Sequence, residues 1–524
     1  MNFPLGRNPY FVRQEAAEAE RLKNPSLIED LNTSKDKKTR FILLAWTCIL
    51  SNFIVWYDDP QTPFWLMCLF GAAFVAFLGT QMKKNTDLIF YIFVVYVSFQ
   101  KVLPGDFAGL LPMFNLTNIL LGIIVWTWLF KPKKRGTGLY DFNAVDVFLM
   151  TYITFLTVAM LRSEFVTWQQ FSIFYTLTDF KRMVEPFLVY FIFIRNVETR
   201  RQVIQILYSV CIVVGAVGVM GVKQYYMDIG GGSFSNMNKN QITILTDQPN
   251  QLGTYLGTYS FFLLSVFFYN RKKWYGWASL VMFLFCLQAV RVTFSRGGLL
   301  AFCAGLGIML ILLLRWKIIF IIPLVIVLII SYPQKVLGPR LYRNYIAYIN
   351  QSQNLLPEST DSVAPSSSLD ASAASRLTIM RAGWIRVTDE PLSMFFGVGM
   401  GKFSLEMTKV RDPHVGFVDA HNQWLLILVE NGIIALISFW AVLLILVSKA
   451  LYIYFKTKDK LFKVFAAGFV GGITAMYFGN FVGSRMNSNE VILLFWILSA
   501  CLMRLRSIEL GKTNNQPVAV EQQK

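Results

Sequence analysis

The sequence predicts an all-α polytopic membrane protein, and three observations carry that prediction. Hydrophobic residues make up 55% of the chain and the mean hydropathy is +0.48, well beyond what the core of a soluble domain requires. Apolar runs of about 16 to 25 residues recur from Phe41 to Met503, each long enough as a helix to cross about 30 Å of hydrocarbon. Lys and Arg gather in the gaps between these runs with a regular phase, as short cytoplasmic loops demand.

The runs number about fourteen. They lie at residues 41–56, 64–82, 88–103, 113–130, 144–161, 183–195, 202–222, 251–270, 275–293, 298–314, 318–332, 421–448, 461–481 and 489–503. With the Lys35 to Arg40 cluster inside, basic clusters return after even crossings at Lys83-Lys84, Lys131 to Arg135, Arg195 to Arg201, Arg271 to Lys273, Arg315 to Lys317, Lys449 to Lys460 and Arg504 to Arg506. The expected organisation is a cytoplasmic tail over 1–40, spans over 41–332, a large periplasmic loop over 333–420, further spans over 421–506 and a second cytoplasmic tail over 507–524.

This arrangement accounts for most of the net charge of +18 without a nucleic acid partner, because cytoplasmic cations near span ends set topology and meet anionic membrane lipids. Cys48, Cys68, Cys211, Cys286, Cys303 and Cys501 all fall inside expected spans, where they read as small packing residues rather than a disulfide framework or a thiolate metal site. The first forty residues are polar and charged, unlike a cleavable signal peptide, so the first span is expected to act as its own insertion signal. Arg13 to Lys23 has the composition of a helix and reads as a solvated tail, with docking on a cytoplasmic partner or on the membrane surface as alternatives.

Two outer loops are long. One, from about Lys223 to Asn250, carries Gly230-Gly231-Gly232 and reads as a flexible turn. The other holds the extramembrane subdomain. Within it, residues 351–375 have almost no bulky apolar side chains and are expected to be disordered. Arg376 to Val387 follows, with Leu377, Met380 and Trp384 at helical spacing and Arg381 off that face, the pattern of an amphipathic helix lying on the outer membrane surface. Glu390-Pro391 ends it, and Gly397-Val398-Gly399-Met400-Gly401 forms a tight turn. That run lacks the Lys-Ser/Thr ending and the strand-turn-helix setting of nucleotide loops. The chain then reaches Asp419-Ala420-His421-Asn422-Gln423-Trp424, which places one of only two histidines at a membrane surface.

Arg291-Val292-Thr293-Phe294-Ser295-Arg296-Gly297-Gly298, followed by Arg376 with Trp384, Gly397-Val398-Gly399, and His421-Asn422 through Glu430-Asn431-Gly432, resembles the O-antigen ligase and polymerase superfamily over roughly residues 285–445. Each motif is weak alone; their order and their common membrane face make the set specific. The resemblance implies a GT-C-like bacterial inner-membrane glycosyltransferase that is metal-independent. It would move a glycan from a polyprenyl (undecaprenyl) diphosphate carrier to a glycan or lipid acceptor at the periplasmic face, alongside other polysaccharide assembly proteins.

The residues support the same chemistry on their own. A glycan on a lipid diphosphate has a good leaving group, so a protein must hold the diphosphate, neutralise its developing charge and take a proton from the acceptor hydroxyl. Arginine suits the first two tasks through its planar, permanently charged fork. Arg291 and Arg296 lie at the outer ends of spans, against the topological bias, about one and a half turns apart if the helix continued. Gly297 and Gly298 would let a headgroup approach, and Arg376 and Arg381 add cations on the same face. The alternative for these arginines is snorkelling to the interface. His421 is the natural general base because an imidazole titrates near neutrality, with Asp419 or Asn422 to orient it. The alternative is that Asp419 caps a helix and His421 packs at the interface.

Glu430, about 13 Å deeper along the helix, reads as a contact between spans, out of reach of the substrate at His421. Asp179, Lys181, Arg182 and Glu185 precede Pro186 at the sixth span, where Arg182 and Glu185 can form an i, i+3 pair or Lys181 and Arg182 can meet the diphosphate. Arg485 in the last outer turn can join them. Asp58-Asp59 resembles the metal-holding pairs of other membrane glycosyltransferases, but no second ligand set accompanies it, and it reads as a span boundary. The expected activity is inverting polymerisation of repeat units of a surface or exported polysaccharide, with ligation to a lipid acceptor, or transfer to a protein hydroxyl, as alternatives. A transporter or flippase would instead place ionisable residues at the bilayer midplane and show internal repeats, and neither is clear in this chain.

Overall fold

A computed structural model describes residues 34–57, 76–77, 79–82, 85–100, 116–130, 143–166, 173–227, 248–314, 371–410 and 420–514. Every regular element among them is helical. The helices are α1 (Ser34–Tyr57), α2 (Leu88–Phe99), α3 (Leu116–Phe130), α4 (Ala144–Val166), α5 (Ile173–Asn196), α6 (Arg200–Met227), α7 (Pro249–Tyr269), α8 (Trp274–Val292), α9 (Arg296–Leu314), α10 (Ala371–Thr388), α11 (Pro391–Phe396), α12 (Phe403–Val410), α13 (Gln423–Lys456), α14 (Lys460–Gly479) and α15 (Asn489–Asn514).

Eight of these, α4, α6, α7, α8, α9, α13, α14 and α15, are long and apolar enough to cross a membrane, while α2 and α3 are apolar but shorter. Most of the second expected span and all of the eleventh lie outside the described residues. The sixth expected span begins earlier than its apolar run suggested. Helix α5 starts at Ile173 and carries Pro186 in its interior, so Asp179 to Glu185 are helical rather than a polar entrance. A proline is tolerated there because packed neighbours can satisfy the carbonyl it leaves unbonded.

Helix α7 is the hub, packed against α6, α8, α9 and α14. Close approach of α9 and α14 depends on small residues, since a Cβ at Gly305 would stand 2.5 Å from the Gly471 carbonyl oxygen. The second group of helices is joined through α4 against α13, and α5 against α15. The five described cysteines, Cys48, Cys211, Cys286, Cys303 and Cys501, are free thiols within helices.

Loop ends that are distant in sequence are tied together at one end of the bundle. Arg200 Nε donates to Asp459 Oδ2 at 2.9 Å, Gln202 Nε2 to Asp87 Oδ2 at 3.1 Å and Arg504 Nε to the Val197 carbonyl at 3.0 Å, and Arg201 pairs with buried Asp36. The basic clusters around Arg40, Arg200, Lys460 and Arg504 therefore share one end, as the alternation of clusters and spans requires. The candidate site is at the other.

Candidate active site at the opposite end of the bundle

The glycine turn and the Glu430-Asn431-Gly432 motif form a single device. Helix α13 is broken at Gly432, whose φ of 84° and ψ of 174° are not helical. The break releases two carbonyls from their helical partners, and the turn after α11 supplies replacements. Val398 N–H donates to the Val429 carbonyl at 2.8 Å and Gly399 N–H to the Glu430 carbonyl at 3.2 Å. The Glu430 carboxylate then accepts from the amides of Gly401 and Phe403, the latter at 3.1 Å. A Cβ on Gly397 would lie 2.1 Å from the Glu430 carbonyl oxygen, and one on Gly432 would lie 2.2 Å from that of Phe395. On its other side the turn is held by α4, through Met400 N–H to the Ala159 carbonyl at 3.2 Å and Ser163 Oγ to the Met400 carbonyl at 3.1 Å. Irregular backbone at this depth is sustained because it is buried in protein on both sides.

An ionic network fastens the rest of the loop. Arg162 Nη2 lies 3.3 Å from Glu390 Oε1 and 3.2 Å from Ser393 Oγ, Ser393 Oγ donates to Glu390 Oε2 at 2.6 Å, and Arg386 Nε donates to Glu406 Oε2 at 2.7 Å. The Ser393 hydroxyl, with the Arg162 and Arg386 guanidiniums beside it, holds the Glu390 carboxyl below its ordinary range against a smaller opposing effect of burial. A depressed carboxylate pKa stabilises the docked loop fully above the ordinary glutamate value of about 4.3 and loses that contribution as pH falls through the lowered value. Amide protection over residues 391–401, the exchange rate taken relative to the intrinsic rate at each pH, is accordingly expected to be full at neutral pH and to fall in acid as Glu390 takes up a proton. Glu390→Gln should flatten that acid-dependent step.

A cavity of about 380 Å³ opens beside this device. Its polar lining includes Asp179 and Arg182 from α5, Ser404 from α12, and Gln423, Glu430 and Asn431 from α13, set among Tyr152, Phe187 and Phe439. Ala420 lines it as well; His421, next in the chain, is not one of the lining residues. His421 is half-buried, with φ of 46°, a left-handed conformation that a residue with a Cβ adopts at a cost of about 1–2 kcal/mol. Its neighbours hold it there. Asn422 caps α13, its side chain accepting from Trp424 N–H at 2.9 Å and Leu425 N–H at 3.2 Å, and Gln423 N–H donates to the Asn480 carbonyl at 2.8 Å.

Asn422 is the helix cap through its side-chain oxygen. Asp419 lies outside the described residues, as do Asp58 and Asp59. Glu430 lines the same cavity as Ala420 and Gln423. Lys181 Nζ pairs with Glu185 Oε2 at 3.6 Å and reaches Asn118 Oδ1 at 2.5 Å, while Arg182 faces the cavity.

Arg291 and Arg296 are both exposed at the junction of α8 and α9. The helix does not continue between them. Thr293 to Ser295 reverse the chain, with Phe294 at φ of 52° and Ser295 Oγ accepting from Gly298 N–H at 3.0 Å, so the pair sits on two helix ends rather than one helical face. A Cβ on Gly297 would be 2.6 Å from Val482 Cγ1, which seats this junction against the turn after α14. Arg485, in that turn, is 6% exposed and reaches Gln248 Oε1 at 3.4 Å.

Helix α10 starts at Ala371 and so takes in residues 371–375, whose alanines favour helix; 351–370 lie outside the described residues. Ile379, Gly383 and Val387 turn toward the protein, Gly383 facing Leu425, whereas Met380, Trp384 and Arg381 are exposed. Arg376 is half-buried, with an Nε that meets no acceptor among the described residues. Arg162, Arg386, Ser404 and Gln423 were not singled out by sequence. Arg162 carries the same signal as Arg291, a cation at a span end expected to face outward, and was legible by that rule.

Residues 280–440 match the protein-family model described as O-antigen ligase. The chain is similar to O-antigen ligases over this region. The match bears out the resemblance read from the motifs and takes in α8, α9, the glycine turn, His421 and the broken part of α13. No curated protein matches the chain. The ligase-like region contributes only part of the cavity wall; Asp179, Arg182, Met486 and Asn489 come from α5 and from the stretch around the start of α15, outside it.

Proposed function

We propose that this protein is an inner-membrane glycosyltransferase of the O-antigen ligase and polymerase type, taking a polyprenyl diphosphate-linked glycan as donor at the periplasmic face. The similarity to O-antigen ligases supports a membrane enzyme of this general kind. The observation that carries the finer reading is the convergence at one end of the bundle of the Arg291-Arg296 junction, His421 and a polar cavity, through the contacts of Gly297 with Val482 and of Gln423 with Asn480. Fourteen crossings, with both termini cytoplasmic and the loop over 333–420 periplasmic, follow from the placement of the basic clusters.

In this reading Arg291 and Arg296, with Arg376 and Arg381 beside the membrane surface, hold the diphosphate and neutralise the charge that grows on it. His421 takes the proton from an acceptor hydroxyl as its oxygen bonds to the anomeric carbon. The bond from that carbon to the phosphate oxygen breaks, polyprenyl diphosphate leaves with the electron pair, and the anomeric centre inverts. No step calls on a metal.

Repeat-unit polymerisation is the favoured outcome, on the number of crossings; the description of the matching family favours ligation as the second reading. Purified protein given a polyprenyl diphosphate glycan is expected to build a ladder of lengthening products. A single transferred glycan on a lipid acceptor would replace polymerase by ligase. Movement of the glycolipid across a bilayer with no new glycosidic bond would overturn the enzyme reading in favour of a transporter.

A further inference from the structure

The floor of the cavity holds polar groups that diphosphate binding and proton transfer do not use. Asn431 is 2% exposed and its Oδ1 meets no hydrogen-bond partner among the described residues; the same is true of Ser404 Oγ. Both line the cavity. Buried amide and hydroxyl oxygens are costly to leave unbonded, so such atoms are placed to meet a ligand that brings hydroxyl groups. Beside them, the Glu430 carboxylate is oriented by the amides of Gly401 and Phe403, and Asp179 stands close enough for its charge to act on it.

The lining discriminates among occupants. An anion such as the diphosphate could meet Arg182 but brings no hydrogen for the Asn431 Oδ1 acceptor and would lie beside Asp179. A polyprenyl chain would leave the Asn431 and Ser404 oxygens unbonded. A sugar ring presents hydroxyls that both donate and accept, together with an apolar face, and matches the amides, carboxylates and Ser404 hydroxyl set among Tyr152, Phe187 and Phe439. A volume of about 380 Å³ suits a small saccharide unit, at the lower end of ligand pockets.

Position assigns the sugar to one side of the reaction. The cavity is built from α4, α5, α12, α13, α15 and the inserted turn, whereas the arginine junction belongs to α8 and α9, packed on α7 and α14. The two sides meet at the start of α13, where Gln423 bonds Asn480, and His421 stands at that seam. An inverting transfer needs the attacking hydroxyl at the base and away from the leaving diphosphate. We propose that the cavity floored by Asn431, Ser404 and Glu430 is the acceptor saccharide site, presenting a sugar hydroxyl to His421. This rests on the glycosyltransferase reading.

The test uses full-length protein in lipid nanodiscs and two probes: the repeat-unit oligosaccharide freed from its carrier lipid, and polyprenyl diphosphate without sugar. The oligosaccharide should bind wild type, and Asn431→Leu should weaken it by about tenfold, the loss expected for a buried polar contact. Ser404→Ala, which removes a single oxygen, should weaken it in the same direction and guards against misfolding of the first variant. Both should bind polyprenyl diphosphate within about twofold of wild type, as a site separate from the arginines requires. In the transfer assay the acceptor KM should rise with the donor KM unchanged.

The proposal is overturned if wild type fails to bind the oligosaccharide. It also falls if variants that melt like wild type bind the sugar equally well, or if the donor KM rises instead. Oligosaccharide binding that behaves as expected, with no transfer by wild type under any condition, would overturn the transferase reading and the acceptor role with it, and leave a saccharide site.

Discussion

Replacing His421 by asparagine is expected to lower glycan transfer by about 10²- to 10⁴-fold, the range over which a positioned general base contributes, while the protein melts and extracts as wild type does. Asparagine is the informative replacement because His421 sits at φ of 46°, and asparagine among residues with a Cβ best tolerates the left-handed region. Alanine there would mix a conformational cost with the chemical one. The pH profile separates base catalysis from packing. Wild-type kcat/KM should climb with pH as the imidazole loses its proton, and that limb should vanish from the residual activity of the variant. A variant that keeps its rate and its pH profile would return His421 to an interfacial packing role. One that loses rate but keeps the limb would assign the proton to another group.

Gly432→Ala and Gly397→Ala are expected to be the most damaging small substitutions in the described part of the chain. Each would force a Cβ to within 2.2 Å or 2.1 Å of a backbone oxygen, on opposite sides of the same contact, at residues whose φ values of 84° and 74° already exclude ordinary side chains. Backbone cannot swing aside as a side-chain tip can, so a loss on the order of 4 kcal/mol is expected from each. The double variant should cost less than the sum, because both act on one contact. Gly307→Ala is the control. It lies in α9 with nothing within 4 Å of an added Cβ, and should be neutral or raise stability by up to about 1 kcal/mol. Thermal melting in detergent measures all four. If Gly432→Ala melts with wild type, the break in α13 is not fixed by the inserted turn.

Much of the helical architecture was legible because crossing hydrocarbon leaves a signature that no packing detail can erase. Runs such as Leu116 to Phe130 or Asn489 to Met503 need no partner to be recognised, and the clusters at Arg200 and Lys460 told which ends belong together before Arg200 was seen on Asp459. Boundaries failed where polarity and helix parted company. Asp179 to Glu185 looked like an entrance and is helix, because a charged turn at the end of a span keeps its backbone hydrogen bonds.

The candidate site divides in the same way. Residue types with an intrinsic chemistry, the arginines Arg291 and Arg296 at span ends and the imidazole of His421, declare themselves by placement along the chain. What those residues face was decided by contacts between segments far apart in sequence. Gly397 and Gly432 belong to one backbone contact, Asn422 caps a helix, Glu430 looks into a cavity, and Arg162 holds a loop more than two hundred residues away. Hydropathy and charge act residue by residue against a slab of solvent, so one chain suffices to read them. A carbonyl's partner, a cavity's lining and a side chain's orientation arise only when separate helices pack, so only the tertiary structure decided them.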